Sequence, residues 1–123
     1  MFSPEFVTSA SLSDGTLVVG LRLNWFRPLP LSCVEELVVR LDGVPLPSGV
    51  LVVDGARFEV DRLVEQDDVW WRFGSDAALH VPWPDIAATR EVRVTIRSRI
   101  PLLVDPTGTA VRVADTAVVA VAA

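Results

Sequence analysis

The chain is 123 residues long, half of them hydrophobic, with eleven basic and sixteen acidic side chains and a formal net charge of −5. That length suits one domain with one core, and the apolar content excludes a disordered chain. A sequence pI near 4.7 disfavours a nucleic-acid backbone or an anionic membrane as partner, since both demand a positive face.

Turn signals punctuate the chain at intervals of about ten residues, the mark of an all-β sandwich or barrel. Residues 6–12 read as a first strand, followed by the Asp14-Gly15 turn. Residues 16–26 form the clearest strand: Leu17, Val19, Leu21, Leu23 and Trp25 share one face, while Arg22 and Asn24 lie on the other. This period of two is how one buried and one wet face look in a strand. After Pro28-Leu29-Pro30 comes an ambiguous stretch. Ser32-Cys33-Val34-Glu35 has the pattern of a capping box, yet Leu37, Val39 and Leu41 alternate. A short helical turn over 32–36 and a strand running to Asp42-Gly43 satisfies both signals. Strands over 50–53 and 57–60 are joined by Asp54-Gly55, whose glycine supplies the positive φ a tight hairpin needs. A second helical turn is expected over 61–66.

The segment 69–73 reads as a strand in which Trp70 and Trp71 must face opposite sides. Trp71, with Phe73, is expected in the core. A strand over 79–81 and a third helical turn over 84–89 follow, with Pro84 tolerated in a first helical turn. In 91–100, Val92, Val94, Ile96 and Ile100 alternate with Arg93, Thr95, Arg97 and Arg99. Two last strands are expected over 110–114 and 117–121. The pattern predicts an all-β chain: a single-domain antiparallel β-sandwich over 1–123 with one to three short helical turns.

The inventory of reactive groups is thin. Cys33 is the one cysteine, so no intrachain disulfide forms and a reducing, cytoplasmic setting is expected. No basic-then-apolar leader opens the chain, and no apolar run is long enough for a membrane helix. His80, the one histidine, alternates with Leu79 and Val81 as a strand-edge histidine would. A Cys33–His80 nucleophile pair is the alternative, and it needs a contact made by the fold. One His and one Cys do not supply the four ligands of a structural zinc site, and no lysine is present for Schiff-base chemistry.

Glu35-Glu36 and Glu65-Gln66-Asp67-Asp68 pair carboxylates in sequence, as a glycosidase pair must be in space. Strand neighbours point to opposite faces, however, and turn neighbours face solvent. The expectation is therefore no catalytic and no metal-binding residue on this chain. Four tryptophans, Trp25, Trp70, Trp71 and Trp83, admit three readings: core residues, protein-interface anchors or a sugar-stacking platform. The Arg93, Arg97 and Arg99 stripe is either a solvated sheet face with cross-strand carboxylates or a dock for an acidic partner.

The most individual stretch runs Leu23-Asn24-Trp25-Phe26-Arg27-Pro28-Leu29-Pro30-Leu31-Ser32-Cys33-Val34, then through Leu37 to Gly43. With Asp67-Asp68-Val69-Trp70-Trp71-Arg72-Phe73-Gly74 it resembles the small (beta) subunit of bacterial C-glycoside deglycosidases over most of the chain. Pro28, Phe26 and the lack of a Tyr near Ile100-Pro101 depart from that family's pattern. The resemblance implies a β-sandwich partner of a larger, TIM-barrel alpha subunit that holds a divalent metal, manganese. It also implies an assembly that cleaves the aryl C–C bond of 3-oxo-C-glycosides, with no cofactor on the present chain. A subunit needs a docking surface, and the resemblance singles out Trp25, Phe26, Arg27, Pro28, Leu29, Pro30 and Leu31, with the Trp70 face as a further candidate. The two prolines leave no backbone donors, and Arg27 offers a planar fork to a carboxylate. A free-standing carbohydrate-binding module and an Ig-like structural domain are the rival readings.

Overall fold

The computed structural model describes residues 6–23, 28–72, 76–84, 91–104 and 106–121. The elements run β1 (Val7–Ser13), β2 (Thr16–Arg22), β3 (Leu29–Pro30), a 3₁₀ turn (Leu31–Cys33), β4 (Val34–Leu41), β5 (Val44–Pro45), β6 (Val50–Val53) and β7 (Ala56–Glu59). A second 3₁₀ turn (Val60–Glu65), β8 (Trp70–Trp71), β9 (Asp76–Pro82), β10 (Glu91–Val104) and β11 (Ala110–Ala120) complete them. All pairings are antiparallel. They build a five-stranded sheet in the order β1-β2-β9-β6-β7, a four-stranded sheet β11-β10-β4-β5 and a small ribbon β3-β8.

Alternation makes the sandwich. In the five-stranded sheet Leu17, Val19 and Leu21 lie opposite Val81, Leu79 and Ala77, and the last two also face Leu51 and Val53 of β6. In the four-stranded sheet Val94 and Ile96 lie opposite Val39 and Leu37. All of these side chains are buried in one continuous hydrophobic cluster, so each sheet turns its apolar face to a shared core.

Three hairpins close on Asp-Gly. Asp14, Asp42 and Asp54 have φ of 48°, 53° and 50°, and Gly15, Gly43 and Gly55 have 76°, 80° and 81°. Positive φ at both central residues is the type I′ turn whose twist matches that of paired strands. These turns join β1 to β2, β4 to β5 and β6 to β7.

Several boundaries differ from the sequence-based expectation. The strands expected over 110–114 and 117–121 are one strand, because Asp115 and Thr116 pair with Ile96 and Thr95 without interruption. The 79–81 and 91–100 strands extend to Asp76–Pro82 and Glu91–Val104. No capping box forms at Ser32: the residue before the 3₁₀ turn is Pro30, no side chain caps it, and Glu35 already belongs to β4. The turn expected over 61–66 is present as Val60–Glu65. Trp25, Phe26, Arg27, Phe73 and residues 85–90 of the third expected turn lie outside the described residues.

Candidate functional site

The docking segment and the tryptophan pair meet in space. Leu29 lies opposite Trp71 and Pro30 opposite Trp70. The Leu31 N–H donates to the Val69 carbonyl at 2.8 Å, and the Ser32 N–H to that of Gln66 at 3.1 Å. These bonds pin the first 3₁₀ turn to the chain running out of the second. Period-two alternation then sorts the ribbon. Leu29, Leu31 and Trp71 are buried in the core, whereas Trp70 keeps half of its surface exposed, at 50%. Burial removes Leu29 and Leu31 from the set of side chains a partner can touch, so they hold the ribbon from within. Pro28 is exposed and Pro30 half-buried, leaving these two with Trp70 as the outward members among the described residues.

Next to this ribbon a β-bulge reorients two carboxylates. Arg97 pairs with Glu36, but the next residue, Ser98, pairs with Val34. Glu35 is therefore the extra residue of β4. Strict alternation would have turned Glu35 inward. The bulge instead lets Val34 and Leu37 both enter the core while Glu35 and Glu36 both stay outside, contrary to the expectation that adjacent carboxylates diverge.

Arg112 of β11 grips Glu35 with both prongs, Nε to Oε1 at 2.6 Å and Nη2 to Oε2 at 3.2 Å, and Arg97 Nε stands 3.5 Å away. The Arg112 hydrogen bond, above all, holds the Glu35 carboxyl below its ordinary range; partial burial opposes this, and the charges of Arg112, Arg97 and Arg99 reinforce it. Arg99 turns to Cys33, its Nη2 lying 3.7 Å from Sγ. Cys33 is buried and unpaired; burial pushes its thiol up, with Arg99 pulling the other way. A groove of about 600 Å³ runs beside this cluster, lined by Glu36, Asp61, Val64, Arg97 and Arg99 among others.

His80 belongs elsewhere. It lies on the outer face of the five-stranded sheet, half-buried between Val18 and Val50, while Cys33 precedes the other large sheet. Glu65, Asp67 and Asp68 are exposed, and Glu65 reaches Arg62 only at 3.9 Å. Trp83 is partly buried against the core. Among the described residues, no three or more His, Cys, Asp and Glu side chains gather where they would hold a metal ion. The Glu35–Arg112 fork, across 77 residues of chain, had no local signal in the sequence, and neither did the bulge that makes it.

Comparison with known proteins places the chain among subunits of an enzyme. The family model described as C-glycoside deglycosidase beta subunit matches residues 15–101. A C-glycoside deglycosidase beta subunit of Arthrobacter globiformis is 33% identical over 100 residues, covering 77% of this chain and 76% of the relative. The 3'-dehydrocarminate deglycosidase beta subunit of a Microbacterium species is 36% identical over 109 residues, covering 84% and 82%. A further beta subunit, from Microbacterium trichothecenolyticum, is 38% identical over 80 residues, covering 63% and 60%. The chain belongs to the family of C-glycoside deglycosidase beta subunits.

Proposed function

We propose that this chain is the non-catalytic small subunit of a heteromeric, cytoplasmic C-glycoside deglycosidase. The assembly acts on 3-oxo-C-glycosides, and a metal-dependent TIM-barrel alpha subunit performs the chemistry. A carbon–carbon glycosidic bond has no bridging oxygen to protonate. Cleavage therefore needs the C3 ketone to acidify the C2 proton, a base to remove that proton, and departure of the aglycone by elimination. An effective base has a pKa near the working pH. Glu35 is held low by Arg112, the Cys33 thiol is buried, and His80 stands on the far sheet. None of these is suited to the proton abstraction, which supports leaving it to the alpha subunit. The divalent metal, manganese by family resemblance, is likewise assigned there.

The observation that carries the reading is the family match over residues 15–101. The role of this chain is to complete the alpha subunit through the ribbon edge formed by Pro28, Pro30 and Trp70, together with Trp25, Phe26 and Arg27. The test is reconstitution. The chain alone is expected to leave a 3-oxo-C-glucoside intact, the alpha subunit alone to be weak or unstable, and the mixture to turn it over. Turnover by the metal-stripped small chain alone would overturn the assignment.

A further inference from the structure

The outer face of the four-stranded sheet carries a charge pattern at odds with the rest of the molecule. Arg40 of β4, Arg93, Arg97 and Arg99 of β10, and Arg112 of β11 all project from it, against Glu35, Glu36 and Glu91. Five arginines against three glutamates leave a surplus of two positive charges on a chain whose net charge is −5. The register makes this costly. Arg93 lies directly opposite Arg40, and Arg99 directly opposite Arg112, and like charges in cross-strand positions destabilise a sheet. Glu35 offsets the second pair through Arg112. The first has no such fork: among the described residues neither Arg40 nor Arg93 makes a close ion pair, although Asp42 and Glu91 line the same small pocket.

Between the arginines the face carries short side chains: Val38, Thr95, Ala114, Thr116 and the exposed Val118. From Arg93 to Arg99 the positive row spans about 20 Å at strand spacing. Its Arg99 end adjoins Cys33, in the 3₁₀ turn that follows Pro30, the residue paired with Trp70. The Arg99 end of the face thus lies close along the chain to the ribbon.

We propose that this arginine face is a docking surface for an acidic surface of the alpha subunit, extending the contact from the Trp70 ribbon across the sheet. The proposal rests on the reading of the chain as a small subunit. The like-charge Arg40–Arg93 pair, a cost in the free chain, is neutralised by carboxylates of the partner in the complex. Arg40 and Arg93 there act as hydrogen-bonding forks, and their charge steers encounter.

The test exploits the opposite signs of the two effects. Arg93→Glu replaces a like-charge pair with an opposite-charge pair facing Arg40, so the isolated chain is expected to unfold at the same or a higher denaturant midpoint. The same variant, titrated calorimetrically against the cognate alpha subunit, is expected to bind about tenfold or more weakly. Wild-type association should weaken as salt is raised, and that of Arg93→Glu should respond less. Arg57→Glu, on the outer face of the other sheet, serves as control and is expected to bind as wild type does. Binding of Arg93→Glu at wild-type strength, with Trp70→Ala weakened, would overturn the arginine face and leave the subunit reading standing. Salt-sensitive retention on duplex DNA that Arg93→Glu abolishes, with assembly intact, would also overturn it. Failure of the wild-type chain to bind the alpha subunit at all would remove both.

Discussion

Glu35 shows what the bulge accomplishes at the scale of one side chain. Its carboxylate is fixed by two prongs of Arg112 and a more distant Arg97, and a quarter of the side chain remains exposed. A carboxyl held low in the folded state contributes stability that is present above its unfolded pKa and lost as pH falls through the folded one. Glu35→Gln should therefore lower stability at neutral pH by about 0.5–1 kcal/mol, the range of a partly exposed ion pair. The deficit should shrink as pH drops below the usual carboxylate range, where the wild-type group is itself protonated. Urea titrations of both proteins at neutral and strongly acid pH measure it; an equal deficit at both would mean that shape, not charge, holds the residue. Reading the sequence did not reach this fork. Arg112 sits in a segment expected as a strand, but its partner is fixed only when β4, β10 and β11 align, and a bulge adds its extra residue without any change in composition.

Among the elements, the tight connections and long strands were the most legible because their causes are local. Asp-Gly at three hairpins encodes positive φ in two residues, and the faces of β2 and β10 follow from strict alternation. The two-residue strands β3 and β5 escaped notice because only their partners define them: Leu29–Pro30 is a strand by virtue of Trp70–Trp71. That ribbon separates two adjacent tryptophans by role. Trp71→Ala should cost about 3–5 kcal/mol, as removal of a wholly buried large side chain does. Trp70→Ala should change stability by no more than about 0.5 kcal/mol while weakening assembly with the alpha subunit. Chemical denaturation of the two variants side by side checks the contrast, and similar losses would mean the ribbon does not sort them.

Gly49 is a second element-scale constraint. A Cβ there would run into the backbone carbonyl of His80, whereas one at Gly20 would meet the side-chain oxygens of Thr8 and Ser9, at 2.5 and 2.6 Å. Hydroxyls can rotate away, but a carbonyl in a central strand cannot. Gly49→Ala should thus destabilise by about 1–3 kcal/mol, as overpacking does, and by more than Gly20→Ala. The opposite order in denaturation midpoints would show that β6 yields more easily than the edge strand β1.

At the scale of the whole molecule, the two large sheets cannot unfold independently, because Leu79 and Val94, Leu51 and Ile96 all belong to one buried cluster. A shared core makes loss of either sheet expose the apolar face of the other. A chain of this size should therefore unfold in a single cooperative step. The buried Trp71 gives fluorescence a reporter in the ribbon, and circular dichroism reports both sheets, so the two signals should trace the same curve in urea. A partner that binds only the folded chain adds to this by mass action, about 2.7 kcal/mol when its free concentration is a hundred times the dissociation constant. Added alpha subunit should accordingly move the midpoint upward in a concentration-dependent way while the isolated chain keeps one transition. Two separated transitions in the isolated chain would show that the sheets are distinct folding units. A midpoint indifferent to the alpha subunit would show that the folded surface with its arginine face and its Trp70 edge is not what the larger subunit grips.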